Sequence, residues 1–289
     1  VGEIPLRELT TYHIQRMLDN TGGGKSLFIK VYNVIHGALE EAVEQGKIPK
    51  NPCKHIAFPR DDTKDMRVLT QEEQQRFIAA LDGEYYKVML LTYLYTGMRM
   101  GECIPLQWKD IDLSKRTIRV NKKAIVRHDY ATHSAKQEVQ DFCKTKSSKR
   151  TVTITAGLTA ILSEYKESMK QRAENMGQAW SEESLVFQNT RDKMVYSRNL
   201  QESLYKIYRK AGIEGATMHT LRHTYATRCF EAGVDIKAIS EQLGHKNVKT
   251  TYNIYIHLLQ DTRVKEIDKL SGIDKFLASE VTTGNAVII

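Results

Sequence analysis

The segment that decides how this chain folds and what it binds is Met218–Leu259, which reads MHTLRHTYATRCFEAGVDIKAISEQLGHKNVKTTYNIYIHLL. It sets His219 three residues before Arg222, and then supplies a second imidazole at His245 and a phenol at Tyr255. Arginine and histidine side chains bind phosphate oxygens, and a tyrosine hydroxyl can attack phosphorus. The segment therefore indicates chemistry on a phosphodiester.

A second arginine lies far upstream, in the stretch TGMRMGE at residues 96–102. Residues 85–95 are mostly apolar and predict a buried helix, which Gly97 ends. Arg99 by itself could be a cation at a helix end, and a lone His-x-x-Arg pair is usually packed or solvated. Two arginines and two histidines in one chain can instead hold the oxygens of a single phosphate.

Composition limits the function classes. The chain has 289 residues, a net charge of +8 and 41% hydrophobic residues, which is typical of a globular protein of about two domains. The basic balance favours a polyanionic partner, nucleic acid first and an acidic membrane surface second. We find no signal peptide and no apolar run of the roughly 20 residues that span a bilayer. Because the sequence begins at Val1 rather than Met, we expect an N-terminally truncated first domain.

The four cysteines are widely separated, and no Cys-x-x-Cys pair occurs among them. This spacing disfavours a cysteine-rich zinc site and favours buried free thiols. The cysteines are Cys53, Cys103, Cys143 and Cys229.

The chain divides by composition into three parts. Residues 1–58 predict a small helical domain, in which Gly22–Gly24 separates a short helix from a long amphipathic one. Residues 59–66 are polar and predict a linker. Residues 67–289 form the second domain and open with a capping box at Thr70–Glu73.

Within the second domain, Thr117–Val120 and Thr151–Ile154 alternate like half-buried strands, and a basic turn at Lys144–Arg150 precedes the second. Helices are predicted over 156–176 and 197–211, and over 221–243 with a turn at Gly233. The fold class is therefore mainly α with a small antiparallel β-sheet or hairpin. Residues 128–141 predict a long polar flap, which either contacts DNA or a neighbouring protomer or is a solvated loop.

Five motifs in this order resemble those of the tyrosine recombinase, or phage integrase, family, closest in style to integrases of conjugative transposons. The resemblance covers about residues 67–270, and residues 1–58 are more weakly similar to the family's core-site DNA-binding domain. It implies a helical core-binding domain and a mixed α+β catalytic domain. The motifs are residues 96–102, the lysine hairpin 144–150, and residues 219–224, 243–245 and 255–257.

The resemblance also implies a role for each matching residue. Two arginines would clamp the scissile phosphate, one histidine would act as acid, base or hydrogen-bond partner, and the other would donate to a nonbridging oxygen. A tyrosine would attack and leave a 3′-phosphotyrosine, and a lysine would protonate the leaving 5′-hydroxyl. In that order these are Arg99, Arg222, His219, His245, Tyr255 and Lys144.

Three assignments have alternatives. Tyr252 lies three residues before Tyr255, but the following Ile-His pair is similar to the family's Tyr-Thr-His signature and favours Tyr255. Lys146 is the alternative to Lys144. Glu102 would orient the arginine box, or would be a plain surface carboxylate.

The resemblance implies double-stranded DNA as partner, with a dimer on each site and a tetramer in synapsis, and accessory DNA-bending or directionality factors. It implies no metal or nucleotide cofactor, no membrane, and a place in the bacterial cytoplasm with the nucleoid. The tail beyond Tyr255 would pack on a neighbouring subunit or in cis. Candidate phosphate contacts, which the sequence does not separate from ordinary surface lysines, are Lys25, Lys30, Lys122 and Lys123.

Two other functions fit parts of the pattern. A type IB topoisomerase or a chromosome-dimer resolvase would share the chemistry. A DNA-binding regulator would explain residues 221–243 as a helix-turn-helix, but it leaves Arg99, Lys144 and Tyr255 without a role.

Overall fold

The computed structural model describes residues 2–60, 66–129, 131–142, 149–249 and 251–252. The chain separates into two compact units, Val1–Asp65 and Met66–Ile289. Over the described ranges, no helix is both long enough and apolar enough to cross a membrane.

The first unit is helical. Helix α1 spans Thr11–Asp19 and begins with a capping box at Thr10, and helix α2 spans Lys25–Glu44. The sequence predicted that Gly22–Gly24 separates two helices, and these residues lie between α1 and α2. The two helices and the turn Pro52–His55 enclose a small core. Its buried members are Ile14, Leu18, Phe28, Leu39, Ala42, Ile48, Cys53 and Ile56.

Over its described part, in which residues 248–249 and 251–252 are also helical, the second unit contains helices α3 to α9. They enclose one large apolar core, which includes the almost fully apolar helix α4. Their bounds are α3 (Gln71–Ala80), α4 (Lys87–Thr96), α5 (Met100–Cys103), α6 (Ala156–Asn175), α7 (Ser197–Lys210), α8 (Met218–Glu231) and α9 (Ile236–Leu243).

Two small antiparallel sheets complete this unit, so the predicted fold class is confirmed. One sheet has the strand order β1-β2-β5, and the other is the pair β3-β4. In the first, Ile118 pairs with Val152, and both side chains are buried in the core. The strands are β1 (Ile111–Asp112), β2 (Thr117–Val120), β3 (Lys122–Asp129), β4 (Ser134–Asp141) and β5 (Arg150–Thr153).

The polar segment 128–141 contains the last two residues of β3 and all of β4. The two strands pair as a hairpin with eight residues in each, so the hairpin begins earlier than the predicted flap. Gln137 fixes it to the rest of the unit, because its side chain donates to the Val195 carbonyl and accepts from the Ser197 amide. At its base, the Ala124 carbonyl lies against Gly101 of α5. Its predicted contact with DNA or a neighbouring protomer stays a prediction.

Candidate active site

The predicted phosphate-binding motifs meet at one cavity of about 670 Å³ in the second unit. Three of the six predicted catalytic side chains line it, although their motifs are far apart in the chain. The cavity also has two lysines on its wall. Its polar lining residues are Arg99, Glu102, Lys123, Gln201, His219, His245 and Lys246.

Arg99 reaches the cavity from the start of α5, immediately after the left-handed Gly97 that ends α4. Its guanidinium Nη1 lies 2.8 Å from Glu102 Oε1, and its Nη2 donates to the Gly244 carbonyl at 3.1 Å. Nearly half of the side chain remains exposed. Arg99 therefore keeps donors available to a ligand while Glu102 and Gly244 fix its direction.

Glu102 is buried, with only 3% of its surface exposed, so the surface-carboxylate alternative is wrong. Its carboxylate accepts from the Arg99 backbone amide at 2.9 Å and from the Arg99 guanidinium. Burial by itself would raise the pKa of Glu102, but the hydrogen bonds and charges of Arg150 and Arg99 outweigh burial and lower it. The ionised carboxylate thus holds the arginine box in place.

Arg150 is a site residue that sequence reasoning did not single out. It forms a two-pronged ion pair with Glu102, at 3.0 and 2.7 Å, and its Nε donates to the Gln242 carbonyl at 2.9 Å. The side chain is almost buried. It connects β5 to α5 and to the end of α9. The only sign of its role in the sequence was its position at the end of the basic turn, where it does not stand out from the neighbouring basic residues.

Gln242 and Gly244 complete this connection. The Gln242 side chain bonds both the backbone amide and the carbonyl of Thr153 on β5. Gly244 has a left-handed φ of 69°, and a Cβ there would lie 2.8 Å from Arg150 Nη1. Only glycine fits this turn without moving the guanidinium. The turn places His245 at the cavity.

Arg222 lies behind the cavity wall on α8, with 5% of its surface exposed. It donates from Nη1 to the Gly97 carbonyl and from Nη2 to the Leu243 carbonyl. Its Nη2 also lies 2.9 Å from His245 Nε2. Arg222 therefore joins the ends of α4 and α9, and most of its donors are engaged within the protein.

His245 is half-buried and held at both ring nitrogens. Its Nδ1 lies 2.7 Å from the Thr251 hydroxyl, while Nε2 faces Arg222. Burial, followed by the charges of Arg222 and Arg99, lowers the pKa of His245 to about 4. Burial, followed by Arg99, lowers the pKa of Arg222 to about 10. At neutral pH the arginine is therefore charged and the histidine is neutral.

His219 is the exposed histidine of the cavity. Its ring centroid lies 6.4 Å from that of His223, one turn further along α8. Among the described residues, none hydrogen-bonds to the His219 ring. His223 is more enclosed, and burial, followed by His219 and Arg222, lowers its pKa to about 4. Within the described part of the chain, His219 is therefore the imidazole whose ring is left open to a ligand.

The candidate DNA-contact lysines separate by environment. Lys122 Nζ lies 2.9 Å from the fully buried Asp110 carboxylate, and the lysine side chain is 11% exposed. This placement favours a structural role for Lys122. Lys123 lies at the cavity wall, and Lys30 is exposed on α2. Lys25 begins α2.

Several predicted residues lie outside the described ranges: Tyr255, Lys144, its alternative Lys146, and the tail after Tyr255. Tyr252, the alternative nucleophile, is described and is 46% exposed. Within the described part of the chain, no three His, Cys, Asp or Glu side chains are grouped so that they could hold a metal ion.

Comparison with known proteins gives one consistent family. Residues 67–262 match the model of the phage integrase family. The chain is 32% identical to a XerC-like tyrosine recombinase of Caldanaerobacter subterraneus subsp. tengcongensis, over 87% of this chain and 67% of the relative. It is 27% identical to the ICEBs1 integrase of Bacillus subtilis, over 94% of this chain and 72% of that integrase.

A solved structure shows the same fold. The Tn1549 transposon integrase, in complex with a circular intermediate DNA, superposes with a TM-score of 0.74 at 18% identity, covering 93% of this chain and 88% of that chain. The family match spans the arginine, lysine, histidine and tyrosine motifs together. The chain therefore belongs to the phage integrase family and is a tyrosine recombinase, an enzyme that cleaves and rejoins DNA through a tyrosine.

Proposed function

We propose that this recombinase joins and separates two specific DNA sites in order to integrate or excise a mobile element. Several relatives are named integrases, including the ICEBs1 integrase. These names support a role in integrating or excising a mobile element. Strand exchange would proceed in two steps through a Holliday junction. The observation that carries the proposal is the cavity in which Arg99, His219 and His245 meet, with Arg222 directly behind it.

In this proposal the cavity holds the scissile phosphate. Arg99 and Arg222 stabilise the negative charge that builds up on the nonbridging oxygens in the transition state. His219 serves as acid, base or hydrogen-bond partner, and its free ring supports that role. His245 donates to a nonbridging oxygen. Glu102 and Arg150 are assigned as positioning residues, because Glu102 bonds to Arg99 and Arg150 bonds to Glu102 and to the Gln242 carbonyl beside the His245 turn.

The reaction is a transesterification. The Tyr255 hydroxyl oxygen attacks phosphorus, its proton passes to the His219 ring acting as base, and the bond from phosphorus to the 5′ oxygen breaks. Lys144 protonates that leaving oxygen, so that a 3′-phosphotyrosine and a free 5′-hydroxyl result. Attack by a 5′-hydroxyl from the partner strand reverses the chemistry. The phosphodiester bond energy is kept in the phosphotyrosine, so rejoining requires no nucleotide, and no step calls for a metal ion.

Binding would use both units. The helical first unit would contact the core site, with Lys25 and Lys30 among its phosphate contacts, and Lys123 would contact DNA near the cavity. One dimer would occupy each site and four protomers would assemble in synapsis. Accessory DNA-bending proteins would set direction, and the reaction would take place on bacterial DNA in the cytoplasm.

Cleavage-site mapping on a nicked suicide substrate tests this function. The wild-type chain is expected to form an SDS-resistant covalent adduct, and Tyr255→Phe to bind the same DNA without forming it. Tyr252→Phe is the matched control and should keep the adduct. An adduct that survives in Tyr255→Phe but is lost in Tyr252→Phe would move the nucleophile to Tyr252. If the wild-type chain formed no covalent adduct on any substrate, the proposed function would be refuted.

The same substrate decides the general acid. Lys144→Ala is expected to cleave slowly, and Lys146→Ala at close to the wild-type rate. A leaving group that needs no protonation, a 5′-thiolate, should restore cleavage to Lys144→Ala, since the missing proton is then not required. Full activity of Lys144→Ala on the ordinary substrate would contradict the assignment.

A further inference from the structure

The His245 ring is held in one tautomer by its two partners. A guanidinium only donates hydrogen bonds, so His245 Nε2, 2.9 Å from Arg222 Nη2, must present its lone pair. A neutral ring then carries its proton on Nδ1. That N–H donates to the Thr251 hydroxyl oxygen at 2.7 Å.

This tautomer conflicts with the role proposed for His245. Both ring nitrogens are engaged, and neither offers a free N–H to a phosphate oxygen. Full protonation would supply one, but it would place an imidazolium against the Arg222 guanidinium, with Arg99 nearby. Burial, and after it the charges of Arg222 and Arg99, lowers the pKa of His245 to about 4, so the ring is neutral at pH 7. A donor at Nε2 is therefore obtained most easily from the other neutral tautomer.

We propose that Thr251 is a positioning residue that supports both tautomers of His245. In the DNA-free chain its hydroxyl accepts from Nδ1–H, and with phosphate bound it rotates and donates to the Nδ1 lone pair. The ring then moves off Arg222, so that Nε2–H donates to a nonbridging oxygen and the Arg222 N–H that faced Nε2, fixed in the guanidinium plane, is left to the same phosphate. This inference rests on the proposed phosphate site.

The exchange balances in protons. The ring exchanges its proton with water while it is turned into the cavity: Nδ1 loses one proton and Nε2 gains one, so the ring is neutral before and after. The hydroxyl keeps its own proton and changes only its direction. A hydroxyl is suited to this role because it can both donate and accept from one position.

The environment of Thr251 supports the assignment. The residue is fully buried, with 0% of its surface exposed, so water does not readily replace its hydroxyl as the partner of Nδ1. It precedes Tyr255 by four residues in the sequence. The same side chain thus fixes the His245 ring and belongs to the segment that leads to the proposed nucleophile.

Two near-isosteric variants separate the hydroxyl from the packing. Thr251→Val keeps the shape and removes both hydrogen-bonding functions, whereas Thr251→Ser keeps the hydroxyl. On the suicide substrate we expect Thr251→Val to cleave about 10- to 100-fold more slowly, by analogy with the loss of a partner that orients a metal-bound histidine. Thr251→Ser should cleave at close to the wild-type rate. Noncovalent DNA affinity should be unchanged in both variants.

A spectroscopic measurement distinguishes this role from a merely structural one. In the DNA-free chain with ¹⁵N-labelled histidine, we expect the His245 ring to show a protonated Nδ1 and an unprotonated Nε2. The pattern should reverse when Tyr255→Phe is bound to intact site DNA. Assignment uses the signal that disappears in His245→Gln.

These experiments can refute the role of Thr251 without refuting the proposed function. Wild-type cleavage together with an equally fast Thr251→Val overturns the inference alone, as does a protonated Nε2 in the DNA-free chain. A wild-type chain that never forms an adduct overturns the proposed function. The same DNA-free spectrum would still report whether Thr251 and Arg222 fix the ring.

Discussion

Glu102 organises the charged side chains at the residue scale. It is the buried anion between two arginines, Arg99 and Arg150, and each hydrogen bond it accepts fixes one of them. A buried ion pair contributes little net stability against an apolar replacement, but breaking one side of it is costly. The network therefore serves geometry, because Arg99 cannot turn away without leaving a carboxylate unpaired.

Removing Arg150 should show this cost. Arg150→Ala leaves Glu102 buried with one partner fewer, and we expect the free energy of unfolding to fall by about 3–5 kcal/mol. Arg198→Ala is the matched control, since the Arg198–Glu202 pair is exposed and should contribute no more than about 1 kcal/mol. Urea denaturation measures both. Equal losses in the two variants would contradict the buried network.

Stability should also depend on pH through His223. Burial, followed by His219 and Arg222, lowers its folded pKa to about 4, whereas the unfolded value is about 6.5. Between these values the unfolded chain binds more protons, so stability is highest above about pH 6.5 and falls as the pH drops towards 4.

Melting temperatures near neutral pH and near pH 5 measure this loss. The melting temperature of His223→Gln should fall less on acidification than that of the wild-type chain. The variant lacks a side chain that takes up a proton on unfolding. His128→Gln, on the exposed part of the hairpin, is the control and should behave as wild type. A His223→Gln chain that loses as much as wild type would refute the assignment.

At the scale of elements, the three catalytic candidates that line the cavity lie at helix ends, and His219 is the second residue of α8. Arg99 begins α5 after the turn that ends α4, and His245 follows the glycine that ends α9. Helices α8 and α9 are the pair that the sequence also compared with a helix-turn-helix. Membership of the integrase family replaces that regulator alternative, and in the structure the pair carries Arg222 and His245.

Strand β3 must approach α5 closely for the hairpin to sit beside the arginine box. A Cβ on Gly101 would lie 2.8 Å from the Ala124 carbonyl oxygen, which is backbone and cannot swing aside. We expect Gly101→Ala to destabilise the chain by about 1–3 kcal/mol and to slow cleavage. The added methyl group would displace α5, and this displacement would also move Arg99 and Glu102.

The control for this change is another helical glycine. Gly157 in α6 has no heavy atom within 4 Å of its would-be Cβ, so Gly157→Ala should be neutral or stabilising by up to about 1 kcal/mol. Thermal unfolding and suicide-substrate cleavage measure both variants. A tolerated Gly101→Ala would show that the hairpin position is not tied to the site.

At the scale of the whole molecule, the positive and negative side chains of the first unit are equal in number, so the net charge of +8 belongs to the second unit. Phosphate contacts release counterions from DNA, so the affinity of the protein for DNA should fall steeply as the salt concentration rises. The two adjacent lysines on β3 offer an internal comparison. Lys123 faces the cavity, whereas Lys122 is paired with the buried Asp110.

We therefore expect Lys123→Ala to weaken binding to every DNA sequence and to lower the slope of log affinity against log salt by about 1. Lys122→Ala should leave the slope unchanged and reduce stability, because Asp110 stays buried without its partner. Fluorescence anisotropy titrations at several salt concentrations measure the slopes. The opposite pattern in the two variants would reverse their roles.

The sequence by itself determined the elements and the kind of chemistry. Helical periodicity, the glycines at 22–24 and the Thr70 capping box are local signals, so the helices they predict are confirmed. The motif series at 96–102 and 219–257 also identified the family, because side-chain types at fixed spacing are visible in one dimension.

Only the tertiary structure decided which side chains touch. From the sequence, Arg150 and Thr251 had no role of their own. Glu102 was either a support of the arginine box or a surface carboxylate, and Lys122 was a candidate phosphate contact. The sequence could not decide further, because the partners of these two residues, Arg150 and Asp110, lie at sequence distances that no periodicity encodes. Burial and hydrogen bonding between distant elements assign these roles: Glu102 holds Arg150 from 48 positions away, and Arg222 holds His245 from 23. A phosphate-binding site depends on direction and distance to within fractions of an ångström, and those quantities exist only once the chain has folded.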